Sequence, residues 1–141
     1  MERFDDSLGF LMTRAARSMK RALDVRLAEH TITSTQYAVL YVLWEEDGLS
    51  LTDLGKRLYF DGPTITGIVD RMERDKLVER RRNDTDRRVI KIYLTKKGKS
   101  LKETLLPLAP EVNKVATGDF SREEKNQLKW LLMKVWRNVE V

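Results

Sequence analysis

Residues 62–95 read GPTITGIVDRMERDKLVERRRNDTDRRVIKIYLT, and a change of period inside this stretch decides the fold. Ile65, Ile68, Val69 and Met72 recur at i, i+3, i+4 and i+7, the stripe of a one-sided helix running to about Lys76. Its other face offers Thr64, Thr66, Gly67, Asp70 and Arg71, with the small Thr64, Thr66 and Gly67 in its N-terminal half. Beyond Leu77 the repeat shortens to two. Residues 77–82 and 88–94 read as strands on either side of Asn83-Asp84-Thr85-Asp86, a turn-forming cluster. Ile90, Ile92 and Leu94 alternate with Val89, Lys91 and Tyr93, so one face of this ribbon is buried.

Outward from that stretch the same signals repeat. Leu51, Leu54 and Leu58 mark a short helix, with Ser50 and Asp53 at capping-box spacing. Asp61 is placed to cap the next helix, and Pro63 fits its first turn. Val39, Leu40, Leu43 and Trp44 define a helix that starts at Thr33 or Ser34 and stops near Asp47-Gly48. Leu8, Leu11, Met12, Ala15, Met19 and Leu23 define a long amphipathic helix from about Asp5 to Glu29. Thr95 caps a further helix that Pro107 and Pro110 kink or interrupt. Ser121 with Glu124 forms a capping box ahead of a stripe of Leu128, Leu131, Leu132, Val135, Trp136 and Val139. The expected fold is mainly α with a small β-hairpin: a helix-turn-helix core with a wing, flanked by N- and C-terminal helices.

Composition bounds what such a fold can do. The 141 residues suit one domain, and 41% hydrophobic content suits a compact core. The net charge is +5, which favours an acidic partner. The charge is local: residues 71–102 carry 13 Lys/Arg against 5 Asp/Glu, a net of +8, and the remainder is −3. Cysteine is absent, which excludes disulfides, thiolate metal sites and thiol catalysis. His30 is the only histidine, so neither a metal centre nor an acid–base constellation is expected. Gly98-Lys99-Ser100 lacks the upstream glycine of a phosphate loop. No cofactor is implied, and no catalytic group is found. Without an apolar run of membrane length or a signal-peptide pattern, the location expected is cytoplasmic and off the membrane.

A helix with an apolar back and a small polar front fits the major groove, and its N-terminus favours phosphate. A wing rich in arginine fits the minor groove and the phosphate backbone. The residues read as facing double-stranded DNA are Pro63, Thr64, Thr66, Gly67, Arg71, Arg81, Arg82, Asp86, Arg87 and Arg88. Asp86 is placed to aim a neighbouring arginine. A plainer reading is a packed surface helix followed by a solvated charged hairpin, or a basic DNA-binding or protein-docking module without ligand response. At the chain ends, Leu8, Leu11, Leu128, Leu131, Leu132, Val135 and Trp136 offer more apolar surface than one small core absorbs, which points to a homodimer.

Residues 33–98 resemble the winged helix-turn-helix core of the MarR family of bacterial transcriptional regulators. LTDLGKRL (51–58), TITGIVDRMERDKLVERR (64–81), then DRR (86–88) followed by IYLTKKG (92–98) carry the likeness over about half the chain. The resemblance implies a repressor acting as an intertwined homodimer, with terminal helices in 1–30 and 99–141 and a DNA-binding lobe in 31–98. It implies that Thr64 and Thr66 lie on the recognition helix, that Arg88 enters the minor groove, and that Asp86 positions the wing. It further implies a crevice for a small aromatic acid effector. Thr66 and Arg80 match positions that contact phenolic acids in some members, and Met12, Arg17, Arg21, Tyr37 and Tyr41 supply apolar, cationic and aromatic groups nearby. Lys76 stands where relatives commonly carry a turn glycine, so a lysine is expected at an unusual φ.

Overall fold

The structure, a computed structural model, describes residues 1–140. In chain order the helices are α1 (Leu8–Ala28), α2 (Ser34–Glu45), α3 (Leu51–Leu58) and α4 (Gly62–Arg74), then α5 (Lys96–Ser100), α6 (Lys102–Leu105), α7 (Leu108–Ala116) and α8 (Arg122–Val139). The strands are β1 (Leu49–Ser50), β2 (Val78–Arg82) and β3 (Ile90–Leu94). They form one antiparallel sheet in the order β1-β3-β2, with Leu49 opposite Ile92 and Arg80 opposite Ile92 on the other side.

Local chemistry accounts for most boundaries. The Thr33 side chain accepts from the Gln36 N–H while Gln36 returns a bond to the Thr33 N–H, a complete capping box. Ser121 and Glu124 form the second. Ser50 accepts from the Asp53 N–H, but the Asp53 carboxylate does not return a bond to the Ser50 N–H, so the box expected there is only half built. The first helix begins at Leu8 and not at Asp5. Phe4–Asp6 is a separate 3-10 turn, and the Ser7 hydroxyl starts the helix by accepting from the Phe10 N–H at 3.3 Å. Asp5 and Asp6 therefore lie ahead of the helix and not in its first turn.

The expected hairpin is extended to three strands. Gly48, at φ 75°, turns the chain so that its N–H donates to the Ile92 carbonyl at 3.0 Å. The Asp47 carboxylate accepts from the Gly48 N–H and, at 2.8 Å, from the Leu94 N–H, pinning β3 to the end of α2. At the corner between α4 and β2, Lys76 takes φ 62°, as the missing glycine implied. The Leu77 N–H then reaches back to the Met72 carbonyl at 2.9 Å, and the Thr95 hydroxyl covers the Lys76 carbonyl at 2.6 Å.

The core lies between α2, α3, α4 and the sheet. Leu40, Leu54, Ile65, Val69, Met72, Val78 and Ile92 are buried there, and Leu27 and Leu105 close it from α1 and α6. The helix expected after Thr95 is broken twice, into α5, α6 and α7. Pro110 has no N–H to give to the Leu106 carbonyl, and the buried Tyr37 hydroxyl donates to that carbonyl instead, at 3.0 Å. A further break falls at Leu101, where no proline or glycine stands.

Asp24 ties α1 to the start of α2: its carboxylate accepts from the Ser34 N–H at 2.9 Å and from Lys20 at 3.0 Å. Partial burial opposes the charged form, yet the bonds from Lys20 and Ser34 outweigh it and hold the carboxyl below its ordinary value of 3.8. A carboxyl lowered on folding stabilises the fold fully above its unfolded pKa, and the gain is lost as pH falls through the folded one. Asp24→Asn is therefore expected to cost about 0.5–1 kcal/mol near neutral pH, after discounting for solvent screening. Urea titrations of parent and variant should converge as the pH drops below 3.8.

Candidate nucleic-acid interface

The helix read as facing the major groove is α4, held by its buried stripe of Ile65, Ile68, Val69 and Met72. Asp61 caps it, accepting from the Thr64 N–H at 2.8 Å, and the Thr64 side chain together with that bond keeps the Asp61 carboxyl below its ordinary range. The turn from α3 is tight. Tyr59 sits in the left-handed region at φ 58°, and the Phe60 N–H donates to the Gly55 carbonyl at 2.9 Å. A Cβ on Gly55 would meet the Phe60 carbonyl at 3.1 Å, so the close approach of turn to helix selects glycine. This geometry leaves Pro63, Thr64, Asp70 and Arg71 exposed, with Thr66 and Gly67 half-buried beside them. A Cβ on Gly67 would meet only Arg71 Nη1, at 3.6 Å, so the helix surface there is low and open.

The wing projects directly after it. At its tip the Asn83 carboxamide oxygen accepts from the Thr85 N–H and hydroxyl, and the Val89 N–H donates to the Asp86 carbonyl. Asp86 takes both Nε and Nη2 of Arg88, at 3.1 and 3.2 Å, and also the Arg88 N–H. These bonds hold the Asp86 carboxyl below its ordinary range. They also point an arginine whose side chain is 92% exposed. Arg82 donates to the Arg87 carbonyl at 2.8 Å and braces the tip. Arg81 pairs with Glu79 and lies 4.4 Å over the Tyr93 ring. Arg71 and Arg87 are exposed and form no ion pair among the described residues. All ten residues read as facing DNA thus stand on α4 or the wing.

The residues read as facing a ligand are placed in three locations. Tyr37 and Tyr41 share an aromatic cluster with Trp44, with ring centroids 6.0–6.5 Å apart. Arg17 lines a groove along α1 with Phe10, Thr13, Arg14, Ser18 and Arg21, while Met12 is half-buried on that helix. Thr66 and Arg80 lie in the winged lobe, where Arg80 is engaged by Asp70 and Glu73.

Of the residues read as facing a second chain, Leu8, Leu11, Leu128, Leu131, Leu132 and Trp136 are 39–62% exposed, and Val135 is half-buried. No residue of α8 is buried. Several structural residues carried no sequence signal, because their partners are distant in the chain: Asp47 with Leu94, Trp44 Nε1 with the Gly98 carbonyl at 3.0 Å, and Tyr59 with Trp136, edge-on at 5.1 Å. Among the described residues no cluster of three or more His, Asp or Glu is placed to hold a metal, and no helix is long and apolar enough to cross a membrane.

A capped helix with an open polar face, followed by a basic two-stranded wing, defines a winged helix-turn-helix protein. The model of the MarR family matches residues 32–90. The organic hydroperoxide resistance transcriptional regulator of Bacillus subtilis is 32% identical over 127 residues, covering 90% of this chain and 85% of that protein. The chain belongs to the MarR family. The regulator TtmR of Methylorubrum extorquens is 44% identical over 98 residues; the match takes in 70% of this chain but only half of TtmR. The S. aureus MepR–DNA complex superposes with a TM-score of 0.89 at 30% identity, covering 94% of this chain and 98% of that one.

Proposed function

We propose that this protein is a transcriptional regulator that binds double-stranded DNA as a homodimer and acts, as a repressor, on a pseudo-palindromic operator in the cytoplasm. The observation that carries this reading is the pairing of an open, small-residue face on α4 with a wing whose exposed Arg88 is aimed by Asp86. The solved complex of the relative MepR with DNA supports it. Pro63, Thr64, Thr66, Gly67 and Arg71 meet base edges and phosphates of the major groove. Arg87 and Arg88 enter the minor groove, and Arg81 and Arg82 hold phosphates. Residues 1–30 and 99–141 supply the dimer helices around the 31–98 lobe, and the exposed stripe of α8 supports that division.

In this reading a small aromatic acid releases the repressor by favouring a spacing of the two lobes that does not fit the operator. Arg17, Met12, Tyr37, Tyr41, Thr66 and Arg80 are its candidate contacts. The alternative is a basic DNA-binding or protein-docking module without ligand response, and the engagement of Arg80 by Asp70 and Glu73 favours it.

Fluorescence anisotropy with a palindromic duplex from upstream of its own gene, against a scrambled duplex, tests the reading. Affinity for the palindrome should exceed that for the scramble by at least about a thousandfold at physiological salt. Light scattering at micromolar concentration should return twice the chain mass. Equal affinities, or a monomer, would overturn it.

A further inference from the structure

We infer that Arg80 is a positioning residue that locks the wing onto the recognition helix through two carboxylates on that helix. The inference rests on the DNA-binding reading above. Arg80 lies in β2 opposite Ile92, a fully buried core residue, so the sheet fixes where its side chain starts. Its guanidinium donates to Glu73 Oε1 at 2.7 Å and to Asp70 Oδ1, both on α4. Its own backbone N–H donates to Glu73 Oε2 at 3.1 Å. Main chain and side chain of one wing residue are thus tied to one carboxylate of the recognition helix, and a second carboxylate closes the clamp.

Exposure separates this arginine from its neighbours. The Arg80 side chain is 23% exposed, against 58% for Arg81 and 92% for Arg88. The other wing arginines reach outward, whereas this one is folded inward onto α4. Its charge is supported by both partners, which outweigh the cost of partial burial and raise its pKa. Asp70 and Glu73 stand one turn apart on a helix that faces a polyanion. Unpaired, each would repel phosphate. Paired with Arg80 they become the acceptors that set the angle between helix and wing, and hence whether two grooves can be read at once. Two hydrogen-bonded contacts to one guanidinium give the direction that a single surface ion pair lacks.

The experiment compares Arg80→Gln with Asp70→Asn/Glu73→Gln in the full chain, by anisotropy on the palindromic duplex over a range of salt, with amide hydrogen exchange on the free protein. Removing two negative charges from a DNA-facing helix should tighten binding if charge alone governs. The clamp requires the reverse: both variants weaken binding by about tenfold or more, and their combination is no weaker than either. A residue that only aligns others leaves the slope of log K against log salt unchanged, whereas a phosphate contact lowers it by about one. Wing amides of residues 81–93 should exchange at least about tenfold faster in both variants, as expected where a local tie is lost. Tighter binding by the carboxylate variant, a lowered slope for Arg80→Gln, or unchanged wing exchange would overturn the inference. If the parent chain does not bind the duplex, the DNA-binding reading fails by itself, and the exchange experiment still decides whether the clamp exists.

Discussion

Gly98→Ala is expected to destabilise the protein by about 2–4 kcal/mol, because the added methyl meets backbone and cannot be accommodated by a side-chain swing. A Cβ on Gly98 would lie 2.3 Å from the Leu77 carbonyl oxygen and 3.1 Å from a Leu94 methyl. Relief requires lifting α5 off the sheet. That movement strains the bond from Trp44 Nε1 to the Gly98 carbonyl, the Thr95 N–H bond to the Leu77 carbonyl, and the Thr95 cap on α5. The higher helix propensity of alanine returns only about 0.5–1 kcal/mol. Urea denaturation measures the difference. A midpoint equal to the parent's would mean that α5 is not seated against Leu77 and β3 as tightly as these distances state.

The second large effect concerns binding and leaves the fold alone. Arg88→Ala is expected to weaken operator affinity by about 2 kcal/mol and lower the salt slope by about one, through loss of one minor-groove cation. Its side chain is 92% exposed, and among the described residues its hydrogen-bond and ion-pair partner is Asp86, so the unfolding midpoint should not move. Affinity equal to the parent's, with the duplex still bound specifically, would remove the wing tip from the interface. A fall in stability of more than about 1 kcal/mol would show that Arg88 also holds the tip together, beyond the usual range for a surface substitution.

The parts of the fold that sequence reveals are those in which cause and effect are a few residues apart. The i, i+3, i+4, i+7 stripe from Ile65 to Met72 is buried as its spacing requires. Thr33, Asp61, Thr95 and Ser121 cap the helices they precede. The alternation at Ile90, Ile92 and Leu94 marks the inward face of β3. The positive φ of Lys76 was implied only by the family resemblance, in which a turn glycine is usual at that position. What stayed hidden depends on partners far along the chain. Leu49–Ser50 is too short to show a period of two, and becomes a strand only because β3 is there to pair with it. The break at Leu101 has no local punctuation. In the wing, the sequence reveals a cluster of arginines but not their division of labour. Arg88 turns outward on Asp86 and Arg80 inward on Asp70 and Glu73, and only the register of β2 against α4 separates them.

The segmented connector has a consequence for how such a protein diversifies. In the proposed dimer, α5, α6 and α7, joined at Leu101 and around Pro107, link each winged lobe to the terminal helices. The second joint is held from outside, by the Tyr37 hydroxyl on the carbonyl that Pro110 leaves free. In that dimer a substitution at either joint is expected to change the reach between half-sites while the residues of α4 and the wing stay as they are. Operator spacing and operator sequence can therefore be inherited, and altered, as separate traits.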